Sequence, residues 1–308
     1  MKSFLGAGEV IVLDEAQTVQ NIGRALKILI DAYPEMNIIA TGCFDLANKI
    51  TEPLTGRHYE YFLYPLSFNE IAEKNGNRAL FENLETRLIY GNYPEIVATG
   101  SFADAREKLK TLTTSYLYRD VFKFGSIKNP DVLSNILRAL AYQVGSEISL
   151  NEIASLVGVD KNTVASYIRI LEQAFIVFRL PSFSRNMRNE IKKGKKIYFF
   201  DNGMISALTD NFAGPGTGRN VGGMWENLMI SERLKYNQNH RCYKTLYFWR
   251  LKSAGEIDLV EEYDGKLHPY EFKWNKGKLT ASARNFQENY GTQAVEIIDK
   301  HNFIDFVR

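Results

Sequence analysis

The run VIVLDE at residues 10–15 is the strongest constraint on the fold. Four apolar residues closed by two acids are too few for a buried helix and fit a strand covered on both faces. VQNIGRALKILIDAY (19–33) comes next with apolar residues at helical spacing, and MNIIATG (36–42) is a second short apolar run. Strand, helix and strand in that order imply a crossover connection, and hence a parallel sheet. The chain therefore opens as an α/β fold.

The pattern then changes. FLYPLSFNEIAEKNG leaves the sheet and enters a helix, and the next fifty or so residues read as all-helical, with turns at GNYP and GS. From about Asp131 come the helices DVLSNILRALAYQVG and SLNEIASLVG, a tight GVD turn, and the helix KNTVASYIRILEQA. A strand (FIVFRL), a basic connection and a second strand (KKIYFFD) come next. The last hundred or so residues hold the helix MWENLMISERLKYN, the strands KTLYFWRL, EIDLVEEY and LHPYEFKW, the helix TASARNFQENYG and a final strand, QAVEIID. We expect four parts: a parallel-sheet region at 1–75, a helical region at 76–128, a helix–turn–helix with a hairpin at 129–200, and a second α/β region at 201–308. A chain of 308 residues is long enough for several separate cores.

Composition excludes more than it selects. The net charge of +2 means that any contact with nucleic acid must come from a local patch. Cys43 and Cys242 match no metal spacing and read as free thiols of a reducing cytoplasm. The four histidines show no ligand spacing either. No apolar run approaches a membrane span, and MKSFLGAGEV lacks the apolar stretch of a signal peptide, so a cytoplasmic protein is expected, with no membrane partner.

In VIVLDEAQ, Asp14 is placed to hold Mg²⁺ through water and Glu15 to polarise an attacking water. One strand later, IIATG sets Thr41 at a strand tip, where its hydroxyl would sense a terminal phosphate. LTGR puts Arg57 in a turn, from which a guanidinium would reach a neighbouring subunit's nucleotide. The order VIVLDEAQ, IIATG, LTGR, YPLSFNEI resembles the bacterial and archaeal predicted ATPases of the AAA+ superfamily that carry a C-terminal domain of unknown function. YGNYPEIV and SYLYRDVF resemble the lid of that family. The resemblance implies a Mg²⁺ role for Asp14, water activation for Glu15, phosphate sensing for Thr41, an arginine-finger role for Arg57, a homo-oligomer or partner chain, and ATP as cofactor in full-length relatives. Cys43 and Phe44 stand where the family has small hydroxyl residues, which weakens the sensor assignment.

A phosphate loop requires G-x-x-x-x-G-K-[ST], whose backbone N–H groups wrap the phosphates while the lysine neutralises them. The 308 residues contain no such string. GPGTGRN at 214–220 has Arg219 in place of the lysine and Asn220 in place of the hydroxyl residue, and it comes after the acid strand instead of before it. The expectation is an N-terminally shortened ATPase core, by truncation or by a late start, with Asp14 and Glu15 vestigial and ATP hydrolysis weak or absent. A loop supplied by another chain is the alternative.

SLNEIASLVGVDKNTVASYIRILEQ reads as a helix-turn-helix. Ser149 caps the first helix with Glu152 completing a capping box, Asp160 caps the second, and Ile153, Leu156 and Val159 face inward. Lys161, Asn162, Ser166, Tyr167 and Arg169 are the outward residues, of types that reach phosphates and base edges. Arg185, Arg188, Lys192, Lys193, Lys195 and Lys196 make the next connection a basic wing whose natural partner is the DNA backbone. The competing reading is a winged helix used only for packing.

Near the C-terminus, Asp258 lies on one strand, and Glu271 and Lys273 share a face of the next. Two carboxylates at strand ends hold a divalent metal through oxygen, a lysine beside them orients a water, and Glu226 on the preceding helix completes the set. The helix–D–(E-x-K) order resembles the PD-(D/E)xK, restriction-endonuclease-like fold. That resemblance implies Mg²⁺ at Glu226, Asp258 and Glu271, with Lys273 catalytic. A non-enzymatic DNA- or partner-binding regulator, with both sites inactive, is the rival reading.

Overall fold

The computed structural model describes residues 10–42, 44–51, 54–116, 129–184, 194–217, 220–251 and 255–308. The chain forms two compact units, Met1–Phe62 and Leu63–Arg308. It is a mixed α/β protein with both parallel and antiparallel strand pairs.

In the first unit, β1 (Val10–Leu13) and β2 (Asn37–Ala40) run parallel, joined by α1 (Ile22–Ala32), and α2 (Phe44–Thr51) comes after them. Leu13, Ile38 and Ala40 pack against a core of Ala16, Ile22, Leu26, Leu46 and Leu54. On the other face Val10, Val12 and Ile39 are half-exposed or more. The expected strand pair is present, but it is covered on one side instead of two.

The second unit begins with the helices α3 (Phe68–Asn75), α4 (Asn77–Glu82), α5 (Leu84–Tyr90), α6 (Pro94–Val97) and α7 (Phe102–Tyr116). Ser67 caps α3 in a reciprocal box with Glu70. α8 (Pro130–Tyr142) starts with proline at its first position and Asn129 as cap. α9 (Leu150–Val157) and α10 (Lys161–Gln173) are separated by a turn in which Gly158 adopts a positive φ of 75°. Asp160 accepts from the backbone N–H of Asn162 and Thr163, which starts α10 where the sequence indicates. At α9, Ser149 does accept from Glu152 N–H, but the Glu152 side chain meets Gln143, so the box is only half made. Leu156 is 67% exposed, because it projects away from the α8–α10 contact that buries Ile153.

β3 (Val177–Pro181) and β4 (Lys195–Phe199) form an antiparallel hairpin. After α11 (Asn202–Thr209) and α12 (Val221–Asn239), a four-stranded sheet runs in the order β5 (Thr245–Leu251), β6 (Gly255–Tyr263), β7 (Lys266–Phe272), β8 (Glu296–Ile298). The last pair is parallel because α13 (Ala281–Tyr290) crosses over between β7 and β8. Phe183 N–H donates to Phe248 O at 2.6 Å, tying the chain after β3 to β5. α14 (Phe303–Phe306) closes the core.

α12 is the axis of this unit. Along it Glu226, Asn227, Ser231, Glu232, Arg233, Lys235 and Asn237 are all buried, together with Trp225, Leu228 and Met229. A helix this polar survives burial because most of its groups are satisfied, although Asn237 Oδ1 has no hydrogen-bond partner among the described residues. Arg233 makes a two-pronged pair with Glu261 at 2.6 and 2.7 Å and also donates to Phe306 O. Glu232 accepts from Phe68 N–H at the start of α3, from Asn92, and from Lys235. Among the described residues no helix is long and apolar enough to cross a membrane.

Candidate functional site

Gly223 allows the first turn of α12 to approach the turn after α8. A Cβ on Gly223 would meet Val144 O at 2.5 Å, and one on Gly145 would meet Glu226 Oε2 at 3.1 Å. One residue beyond Glu226, Asn227 treats β4 as a strand would: its Oδ1 accepts from Phe199 N–H at 2.7 Å and its Nδ2 donates to Phe199 O at 3.0 Å. This pairing fixes the register of β4 against α12 and sets Lys196 and Tyr198 over Glu226. Lys196 Nζ lies 2.7 Å from Glu226 Oε1, and the Tyr198 hydroxyl donates to the same oxygen at 2.6 Å.

Strand β6 supplies the rest. Glu256 forms an ion pair with Lys196, and its carboxylate lies with those of Glu226 and Asp258 so that one oxygen of each falls within 4.8 Å of the others. Phe272 N–H donates to Asp258 Oδ2 at 2.8 Å. A cavity of 430 Å³ is lined by Glu226 and Asp258 together with Lys273, Trp274, Asn275 and Lys276.

Burial, and then the neighbouring Glu226 charge, push the Asp258 carboxyl up from 3.8 to about 7, despite Lys196 and Lys273 nearby. Burial alone would depress the Lys196 ammonium, but Glu226, Glu256 and Asp258 outweigh it and hold the lysine charged, above its ordinary value. Burial, then the Glu226 charge, drives the Tyr198 phenol well upward, so it stays a donor. The centre thus holds three carboxylates around one buried ammonium, an excess of negative charge beside an open cavity. Oxygen donors, surplus charge and room for water are what a hard divalent cation such as Mg²⁺ requires, so these residues fit one.

Three sequence expectations are corrected. Glu271 falls outside the trio: Thr280, the cap of α13, donates to its Oε1, while its buried Oε2 has no hydrogen-bond partner among the described residues and lies 3.6 Å from Lys273 Nζ. The third carboxylate is Glu256, two residues before Asp258 on the same strand. Lys196 is no wing cation: its side chain is 1% exposed and buried among acids. Tyr167 is 6% exposed and packs into the core, because α10 turns that side toward the hydrophobic interior. Lys161, Asn162, Ser166 and Arg169 are exposed on α10, as is Lys195 at the start of β4. Arg185, Arg188, Lys192 and Lys193 lie outside the described residues. Trp225 and Trp249 are fully buried, whereas Trp274 is partly buried and lines the cavity.

In the first unit, Asp14 and Thr41 meet at the ends of adjacent parallel strands, where the Thr41 hydroxyl donates to Asp14 Oδ1. Glu15 is exposed, has a positive φ of 50°, and accepts from Gln17. Arg57 pairs with Asp31 of α1 across a half-exposed surface.

Residues 1–72 match the family model described as AAA domain, residues 81–214 one described as Domain of unknown function (DUF8612), and residues 221–303 one described as Domain of unknown function (DUF4143). The start of the chain is thus AAA-like, and most of the remaining chain resembles domains without an assigned function. Uncharacterized proteins of Mycobacterium tuberculosis and Mycobacterium bovis are each 24% identical over 279 residues, covering 89% of this chain and 60% of theirs. An uncharacterized protein of Methanocaldococcus jannaschii is 26% identical over 240 residues, covering 72% of this chain and 52% of its own. The chain therefore spans between about half and three fifths of the length of these curated relatives. No solved structure matches it.

Sequence reasoning missed Glu256, Tyr198 and the true place of Lys196. Each reaches the centre through the pairing of β4 with α12 or through strand register, neither of which leaves a local motif. The one available signal was the alternation of Glu256 with Asp258, two residues apart on a strand and hence on one face.

Proposed function

We propose that this chain is an AAA-like ATPase relative that works on DNA, with a Mg²⁺-dependent phosphodiesterase centre at Glu226, Glu256 and Asp258. The observation that carries this reading is the carboxylate trio, two members of which, Glu226 and Asp258, line a cavity together with Lys273 and Lys276. The carboxylates would hold the metal, and the two lysines would receive a phosphate backbone. Bound Mg²⁺ would supply Lewis acidity toward phosphorus and a more acidic water. Asp258 would bind the ion as its carboxylate, Tyr198 would fix Glu226 by its hydrogen bond, and Lys273 would orient the water or the scissile phosphate. The exposed residues of α10 (Lys161, Asn162, Ser166, Arg169), with Lys195, would grip the duplex in a winged-helix manner. Because the 308 residues contain no phosphate loop, ATP hydrolysis by this chain would be weak or absent.

The test is nicking of supercoiled plasmid with and without Mg²⁺. Wild type should cut only with the metal, and Asp258→Asn and Lys273→Met should each lower the rate by about a hundredfold or more. Equal background cutting by all three would leave the second reading, a non-catalytic DNA- or partner-binding regulator. One observation favours that alternative: Lys196 already neutralises part of the acid cluster, as a purely structural ion network would.

A further inference from the structure

Lys196 is an unusual resident for such a centre. It comes from the β3–β4 hairpin, not from the sheet that carries Asp258, and its side chain is 1% exposed. Its ammonium contacts Glu226 Oε1 at 2.7 Å and pairs with Glu256, with the Phe248 ring 5.6 Å away. Two of the three carboxylates are therefore already engaged by a cation that belongs to the chain. Three acids packed this closely, with no cation between them, would carry a severe desolvation and repulsion penalty. The ammonium removes much of it, so the centre can fold without metal.

We propose that Lys196 is a built-in counter-ion that competes with a divalent cation for Glu226 and Glu256, and so sets how tightly the centre takes up metal. The proposal rests on the metal reading of the trio given above. A divalent ion bound by the trio would sit beside a fixed positive charge and share two of its ligand groups with it. Even with the screening of bulk water, such a neighbour weakens binding by about tenfold. Tyr198 is the fixed point in this exchange, since its hydroxyl keeps Glu226 oriented whether lysine or metal is the partner.

The test is Mn²⁺ binding to the full chain, monitored by the free-ion paramagnetic resonance signal and by calorimetry. Lys196→Met should bind Mn²⁺ about tenfold or more tightly than wild type, and Lys196→Arg, which keeps the charge, should bind no more tightly than wild type. A Lys196→Met protein that folds only when Mn²⁺ is present would also support the idea, because metal then replaces the missing counter-ion. Equal or weaker Mn²⁺ binding by a folded Lys196→Met would overturn it. If that variant does not fold under any condition, wild type decides: Mg²⁺ should shift the ¹⁵N resonance of the Lys196 ammonium, with no such shift in Asp258→Asn, and an unmoved resonance refutes the competition. Cleavage is not needed for any of these readouts. Tighter metal uptake by Lys196→Met without DNA cutting by wild type would remove the nuclease reading and keep the counter-ion. Cutting by wild type with unchanged Mn²⁺ binding in Lys196→Met would do the reverse.

Discussion

At the scale of single residues, the decisive groups are acids crowded together beside a cavity. Asp258 has an ordinary value of 3.8 and a folded value of about 7. Between these two the folded chain keeps a proton that the unfolded chain has released, so this residue lowers stability as pH rises across that window and is level above it. In metal-free buffer the urea midpoint of Asp258→Asn should therefore gain on that of wild type from about pH 4 to about pH 7 and then run parallel. A constant gap over the whole range would contradict the assignment. The same proton competes with metal, so Mn²⁺ affinity of wild type should fall as pH drops below about 7. Arg233 and Glu261 are the contrasting case, a buried pair of high geometric quality with side chains 9% and 0% exposed. Glu261→Gln strands the guanidinium and should cost about 3–5 kcal/mol in chemical denaturation, whereas the control Glu262→Gln, on the same strand, should cost little.

At the scale of elements, much was legible because it is local. The caps Ser149 and Asp160, the turn at Gly158 and the opening strand–helix–strand order are all written within a few residues of where they act. The face that a helix or strand presents to a distant partner was not legible. Tyr167 has the spacing of either side of α10, and only the packing of α8 and β3 decides that it is buried. Lys196 reads as one more cation of a basic run, and only Asn227, gripping Phe199 from α12, turns it inward. Glu271 shares its strand face with Lys273, yet the cap of α13 claims it. The GNYP turn is a further case in which distance in sequence hides the reason for a residue. Gly91 has a φ of 70°, and a Cβ there would meet Asp201 Oδ1 at 1.8 Å. Asp201 in turn accepts from Asn92 and Gly203 N–H. Gly91→Ala should therefore lose about 2–4 kcal/mol in urea unfolding, whereas Gly76→Ala, also at positive φ but in open space, should lose about 1 kcal/mol.

At the scale of the whole molecule, the question is which part of the chain can stand on its own. The second unit joins its early helices to α12 through Glu232, which binds Phe68 N–H and Asn92, and through Asn202, which donates to Leu88 O and Met224 O. Such cross-links, 22 to 164 residues apart in sequence, make residues 63–308 one cooperative body. Among the described residues the first unit has a single parallel strand pair, a small core and half-exposed apolar residues on the other sheet face, which is little to offset chain entropy. Where the first unit ends and the second begins, residues 58–64 form neither helix nor strand, and Tyr59, Tyr61 and Leu63 are 82%, 73% and 101% exposed. Chymotrypsin cleaves after aromatic residues in exposed, irregular chain. Brief digestion of the native protein should therefore cut between Tyr59 and Leu63 and leave a fragment that begins near Leu63 and resists further digestion. That fragment should melt in one transition close to that of the second unit in the intact chain, and it should keep the Mn²⁺ affinity of wild type, because every ligand residue named for the centre lies within it. Mass spectrometry of the digest reads the cut site and a thermal scan reads the cooperativity. A fragment that unfolds on release, or that loses Mn²⁺ binding, would mean that the first unit contributes to the fold of the second or to its acid centre.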